Sequence, residues 1–497
     1  MVVLLIELNL TSLMRNKLFT GELTVPTLFI CLLSIFVLIF SAAINFNKDY
    51  VTFLEINSLN ILSLTLFIIV CACSILSDKN FIFLLPVQLL AMPAPVDDFF
   101  ISVLLTQVQD IKQVYFPIIT HIDIYLALGI FRKITLTKPR ILKGDFLIPA
   151  FLLLMFIVLI SNLILSVDYW DFYLLLAHTY HFRYLVLLLI LSFYYDFSKH
   201  ENPIIYGIIL SIILLFFESV INTLMIDGDR LVSGTLGNNS YANIIGSIIF
   251  FFVWLNKYNK MPRKVTYPII ILSFLIIIST QTRMALIAPS FVLLVYFIYN
   301  LRKNFIVRLV KLISLITLCL FSYLYLVKNN YIPKRYSVEQ LIGSNRGGFI
   351  LKTNSESSSL LTRFRLFNTS VNMIKENPID GIGVGRFNRY KKAYGFRENV
   401  LIDSHNDLLA LACQYGIFIG FLFLFCMTLL PLYYYIYFLK NKTDNKLAYL
   451  FIINFTMLFS GITNAGLMKH QIFAFLAFNL IVLNSIVKLN HIKYLDK

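Results

Sequence analysis

The chain has 497 residues, 59% of them hydrophobic and 14% charged, with a formal net charge of +16, whereas soluble domains carry roughly 25% charged residues. This balance excludes a soluble globular enzyme. No nucleic-acid motif accompanies the positive charge, so no nucleic-acid partner is expected and the excess Lys and Arg is assigned to cytoplasmic loops and to membrane lipid phosphates.

Taken in chain order, apolar runs fall near 25–46, 58–76, 81–96, 114–131, 145–166, 172–195, 204–222, 241–256, 266–281, 284–300, 307–327, 414–438, 447–463 and 470–488. Each approaches the length that crosses a hydrocarbon core of about 30 Å. The reading is an all-α polytopic membrane protein of twelve to fourteen transmembrane helices. Residues 1–24 lack a small-residue cleavage site after a short apolar stretch, so they are expected to be retained. The weakest runs are 81–96, interrupted by Pro86, Pro93 and Pro95, and the junction near Arg283.

Four short loops are basic: Arg132 to Lys143, Lys257 to Lys264, Arg302 to Lys311 and Lys440 to Lys446. All four come out on one side when fourteen spans are counted, and that side is cytoplasmic by the positive-inside rule. The chain then divides into N-terminal transmembrane helices (1–203), core transmembrane helices (204–327), one large exported loop (328–404) and C-terminal transmembrane helices (405–497). The loop holds thirteen Lys/Arg against six Asp/Glu. Loops this long are exempt from the positive-inside rule, so the charge points to an anionic substrate. Within it, Leu361, Phe364, Phe367, Val371 and Ile374 share one helical face, ended by Asn377 and Pro378 before a glycine-rich turn. An amphipathic helix over the membrane mouth is expected there, with a helix packed on its own loop as the alternative.

The six cysteines all lie in apolar segments, and Cys71 and Cys73 lack metal-ligand spacing. No GxxxxGK, HExxH or GxSxG occurs, and GIGVG at 381–385 has no preceding strand to make a dinucleotide loop. No metal and no cofactor are expected.

Three positions place a titratable side chain at an exported span end. Arg230 lies in DGDRLVSGTLGNNSYAN, and Arg283 in STQTRMALIAP between two apolar runs. A charge inside a span costs about 2.5–3.5 kcal/mol. Either arginine alone serves equally as interfacial anchor or phosphate ligand; together on one face they read as a diphosphate clamp, because guanidinium binds phosphate through a bidentate fork. His405 opens SHNDLLALACQYGIFIGF, where the chain re-enters the membrane beside Ser404, Asn406 and Asp407. Histidine takes a hydroxyl proton near neutral pH, although a single interfacial histidine is more often structural. Arg183, with His178, Tyr180 and His181, is either an intramembrane cluster or marks a helix that begins near Phe182.

These fragments resemble one family: the O-antigen ligases, O-antigen polymerases and protein O-oligosaccharyltransferases. The resemblance covers roughly 200–440 and rests on DRLVSGTLGNNSYAN, STQTRMA, ENPIDGIGVGRF and HNDLLALACQYG in that order. His405, Asn406 and Gly416, eleven positions after the histidine, follow the family pattern; Ile419 stands where the family usually has glycine, with Gly420 next. The resemblance implies a metal-independent, inverting transfer from an undecaprenyl-diphosphate-linked oligosaccharide to an acceptor hydroxyl. On that view Arg230 and Arg283 hold the diphosphate, His405 activates or orients the acceptor, and Arg363 and Arg365 are lesser candidates for donor contact; Arg183 and Asn406 are expected beside them as substrate-binding residues. It also implies a multi-pass protein of the bacterial inner membrane with its active site facing the periplasm. The acceptor is lipid A core, a second lipid-linked glycan or a glycoprotein hydroxyl; chain length and the basic loop lean towards the second. The rival is a lipid-linked glycan flippase or another transporter, which would show repeated halves with midplane charges; no such repeat is found.

Overall fold

The computed structural model describes residues 58–92, 102–105, 114–117, 120–136, 180–226, 236, 238–280, 359–383, 387–396, 404, 406–441, 444–461 and 470–495. The expected spans at 25–46, 145–166, 284–300 and 307–327 lie outside them. Among the described residues the fold is helical apart from one short antiparallel hairpin, β1 (Ser102–Leu105) and β2 (Val114–Pro117).

The N-terminal helices are α1 (Ser58–Ile75), α2 (Asp78–Leu90), α3 (His121–Leu136) and α4 (Tyr180–Tyr194). The span expected from 114 therefore starts as a strand. Val114, Tyr115 and Phe116 are β-branched or aromatic, and the helix begins behind a capping box, in which Thr120 N–H donates to Asp123 Oδ2 (2.8 Å) and Asp123 N–H to Thr120 Oγ1 (3.4 Å). Helix α2 runs through Pro86. Phe81, fully buried, stacks on Tyr125 and Tyr195 at centroid distances of 4.8 and 5.2 Å and so ties α2, α3 and α4 together. Pairs of this kind are worth about 0.5–1.5 kcal/mol beyond their area.

The middle helices are α5 (Glu201–Ile226), α6 (Asn238–Lys257) and α7 (Arg263–Thr280); α2 packs along α5, and α6 along α7. Between residues 328 and 404 come α8 (Ser359–Glu376) and the single turn α9 (Phe387–Tyr390). The C-terminal part comprises α10 (Asp407–Tyr415), α11 (Ile417–Leu424), a π-turn at Phe425–Leu429, α12 (Leu430–Lys440), α13 (Phe451–Gly461) and α14 (His470–Leu495). Among the described residues, Glu201–Leu224 and Ile417–Lys440 are long and apolar enough to cross a membrane, with mean hydropathies of 2.5 and 2.1.

One end of the bundle is basic. There Asp78 receives Arg132 (2.6 Å) and Lys133 (2.5 Å), Arg132 also donates to Tyr195 Oη, Asn445 Nδ2 donates to Ser198 O (3.0 Å), Lys446 Nζ donates to Asn202 (2.9 Å), and Lys260 pairs with Asp444. Three of the four basic loops read from the sequence thus meet at one end; the fourth, 302–311, lies outside the described residues. The opposite end holds the Thr120 capping box and the Gln471 Nε2 to Met92 O bond (3.1 Å). Between the two ends, Asn454 donates to Met427 O in the π-turn (2.8 Å) and to Leu476 O (3.0 Å), and accepts from Asn479 (3.0 Å). The amide thus answers a carbonyl whose usual partner four residues on is Pro431, which has no N–H. Such bonds inside a membrane protein average about 0.6 kcal/mol each.

Candidate functional site

The site is built around α10, nine residues long. Its N-cap Asn406 is extended (φ −151°, ψ 117°), and its side chain accepts from Leu409 N–H at 3.0 Å. Ser404, buried, donates its hydroxyl to Asn406 O at 2.8 Å. Asp407 follows in the first turn, 1% exposed, where the unpaired N–H groups of a helix start favour negative charge.

At Gly416 the chain turns sharply (φ 84°, ψ 163°). In a continuous helix residues 412 and 420 would stand about 12 Å apart. Here a Cβ placed on Gly420 would come within 2.9 Å of Ala412 N, so α10 and α11 form a narrow V. Gly420 thereby supplies the close packing expected of a glycine one position earlier. The far tip of the V is Asp407, whose Oδ2 would lie 2.7 Å from a Cβ on Gly461 at the end of α13. Helix α13 starts beside the basic end, and Gly461 is only about 15 Å further along its axis. The Asn406–Asp407 start therefore dips into the bundle, and α10 is re-entrant.

A clasp holds this V. Ile382 N–H donates to Cys413 O (2.7 Å) and Ile417 N–H to Pro378 O (2.9 Å), joining the NPIDGIG turn to the elbow through backbone alone. Gly416 cannot carry a side chain, because a Cβ would collide with Ile379 O, and Gly381 (φ 66°) lies against the Cys413–Gln414 backbone. Helix α8 packs on α10 through Leu366, Thr369, Ser370 and Met373, all buried, and Cys413 Sγ–H donates to Ser370 O (3.2 Å).

The apolar face read from the sequence is a different one. Phe364 is 59% and Phe367 46% exposed, while Val371 and Ile374 are half-buried; the side chain of Leu361 lies outside the described residues. Helix α8 thus uses two faces, one against α10 and one carrying Phe364 and Phe367 outward.

Of the expected site residues, Arg230, Arg283 and His405 lie outside the described residues. Arg363 is half-buried and Arg365 exposed; two positions apart, they point about 200° from each other and do not share a face. Arg183 sits in the first turn of α4, the helix having begun at Tyr180. Its guanidinium pairs with Asp123 Oδ2 (2.9 Å), which also accepts from Thr120 Oγ1 (3.0 Å), and Thr120 in turn meets Tyr184 Oη at 2.6 Å. Among the buried charges that the sequence did not single out is Glu218 on α5, 2% exposed, with Asn222 Nδ2 donating to its Oε1 at 3.1 Å. The signal was available, as a carboxylate in a long apolar run.

Residues 268–425 match the model of the O-antigen ligase family. Over this segment, about a third of the chain, the protein is similar to the O-antigen ligase family. The matched stretch runs from Pro268 in α7 to Phe425 at the π-turn, and so contains α8, the clasp and α10. It is narrower than the resemblance read from the sequence and begins after Arg230. The match supports glycan transfer of the O-antigen ligase or polymerase type by a membrane-embedded enzyme. No curated protein matches the chain.

Proposed function

We propose that this chain is an O-antigen ligase family member that transfers a glycan from undecaprenyl diphosphate to an acceptor hydroxyl, at the periplasmic face of a bacterial inner membrane that it crosses twelve to fourteen times. The observation that carries the reading is the re-entrant α10, which brings the segment flanking His405 into the bundle and fixes its covalent neighbours Ser404 and Asn406 by hydrogen bonds. A base on such a tip meets a substrate out of bulk water, where charge interactions are stronger.

In the proposed reaction His405 accepts the proton of the acceptor hydroxyl as its oxygen attacks the anomeric carbon. The bond from that carbon to the diphosphate oxygen breaks, and the configuration inverts. Arg230 and Arg283 hold the departing diphosphate and offset its growing charge, without a metal. Arg363 and Arg365, facing different ways on α8, serve distinct contacts along an anionic donor, and Asn406 sets the tip. Arg183, held by Asp123, contributes from the N-terminal helices. The division into 1–203, 204–327, 328–404 and 405–497 follows these roles. The net positive loop suits two lipid-linked partners, favouring repeat-unit polymerisation over transfer to lipid A core or to protein.

The test is transfer by purified protein in proteoliposomes containing a lipid-linked glycan. His405→Ala and Arg283→Ala should each lower the rate at least about 100-fold, with unchanged elution and melting; Arg283→Lys should remain poor, because an ammonium lacks the planar fork. Near-normal rates in these variants would refute the assigned roles. In a deletion strain, single repeats on lipid A core without a ladder identify a polymerase, and bare core identifies a ligase.

A further inference from the structure

Beyond the Leu366, Ser370 and Met373 face that packs on α10, helix α8 has a second apolar stripe. Phe364 and Phe367, 59% and 46% exposed, form it together with the half-buried Val371 and Ile374. At about 100° per residue the four side chains fall within an arc of about 80°, and Arg363 and Lys375 stand about 20° outside its two edges. Lys375 is exposed and Arg363 half-buried. Past Lys375 the helix presents Asn368 and Asn372, both exposed.

The stripe ends beside a surface of the same character. Pro378, two residues past the end of α8, accepts from Ile417 N–H at 2.9 Å, and Ile417 opens the stretch Ile417–Lys440, which is long and apolar enough to cross a membrane. Around this junction Ile379, Ile417, Phe418 and Phe421 are 73%, 51%, 64% and 61% exposed. The C-terminal end of α8 is therefore tied to the level at which a span begins. An apolar stripe edged by cations on an otherwise polar helix suits the plane of a bilayer interface, with its rings at the acyl boundary and its cations at the lipid phosphates. Basic edges favour a negatively charged leaflet. We infer that α8 binds the surface of an anionic bilayer, with Phe364 and Phe367 immersed and Lys375 and Arg363 in the phosphate layer, which is also the layer of a lipid-linked donor's diphosphate. Because the other face of α8 packs on α10, the bilayer then takes part in positioning the helix that starts at Asp407.

The inference rests on the membrane-crossing part of the reading above and not on glycan transfer. Phe364→Trp, Phe367→Trp, Asn372→Trp and Phe418→Trp, each in the full chain, are placed in nanodiscs of phospholipid brominated along its acyl chains. Fluorescence quenching is read as the difference from the unsubstituted protein, which has two tryptophans of its own. In discs rich in anionic phospholipid, the indoles added at 364 and 367 should be quenched about as strongly as that at 418, and at least about twofold more than that at 372. Quenching at 364 and 367 no stronger than at 372, with 418 fully quenched, means that α8 stands clear of the bilayer and overturns the inference. If 418 is not quenched either, it is the membrane-crossing reading that fails. In discs of zwitterionic phospholipid, and in anionic discs once Lys375→Gln is added, quenching at 364 should fall by about half or more; an undiminished signal overturns the choice of an anionic surface. Polyprenyl diphosphate added to the anionic discs should change nothing at 364. Quenching that appears only in its presence would assign the stripe to the donor's chain and likewise overturn the inference.

Discussion

His200, just past the 3-10 turn Phe197–Lys199 at the basic end, shows how position sets a titration. Burial lowers its proton affinity below the usual 6.5, against the upward pull of Asp78 and Asp196. The folded chain therefore holds this ring neutral more firmly than the unfolded chain does. Its contribution to stability is complete above about pH 6.5 and is lost as pH falls below that value. Melting temperature should decline from pH 7 to 5, and His200→Gln should flatten the decline; an identical slope in the variant would assign it to other groups. At this scale the sequence was partly legible. Arg183 announced itself as a charge in an apolar run, but Asp123 stands sixty residues earlier, and no local pattern couples the two. Glu218 meets the same criterion as Arg283, a charge in an apolar run, but lies inside its run rather than at a span end.

Elements were legible where hydropathy alone decides them. The runs at 241–256, 266–281, 447–463 and 470–488 correspond to α6, α7, α13 and α14, because burial in lipid or core demands continuous apolar sequence. The break at Gly416 was not legible: DLLALACQYGIFIGF has helical apolar character on both sides, and only a positive φ and the Ile379 carbonyl divide it. Gly395 and Gly416 allow this to be tested. Gly395 also has positive φ (104°) but has nothing within 4 Å of a Cβ. Gly395→Ala should cost about 1–2 kcal/mol from backbone conformation alone. Gly416→Ala adds a backbone collision and should cost clearly more, with loss of transfer as the α10 tip shifts; thermal melts of the two variants measured in parallel check the order.

For the whole molecule, the basic loops carry an expectation of orientation, and the packing brings three of them together at one end. Charge counts carry the first because lysines and arginines resist export; the second depends on which helices neighbour which, information that a one-dimensional pattern lacks. If the basic end is cytoplasmic, a membrane-impermeant maleimide applied to spheroplasts should label Lys375→Cys on α8 and leave Lys440→Cys unlabelled until lysis. Reversed labelling would invert the molecule and move the re-entrant tip to the cytoplasm.

The clasp between the NPIDGIG turn and the elbow is made of main-chain groups, so its specification is almost free of side-chain identity. Two glycines are fixed by it, while Ile379 and Ile417, 73% and 51% exposed beside it, are not. A joint of this construction can be re-dressed outwardly to suit a thicker bilayer or a bulkier lipid with the inner tip undisturbed. Variation among relatives should therefore concentrate on the outside of the bend, and invariance on its two bare backbone positions.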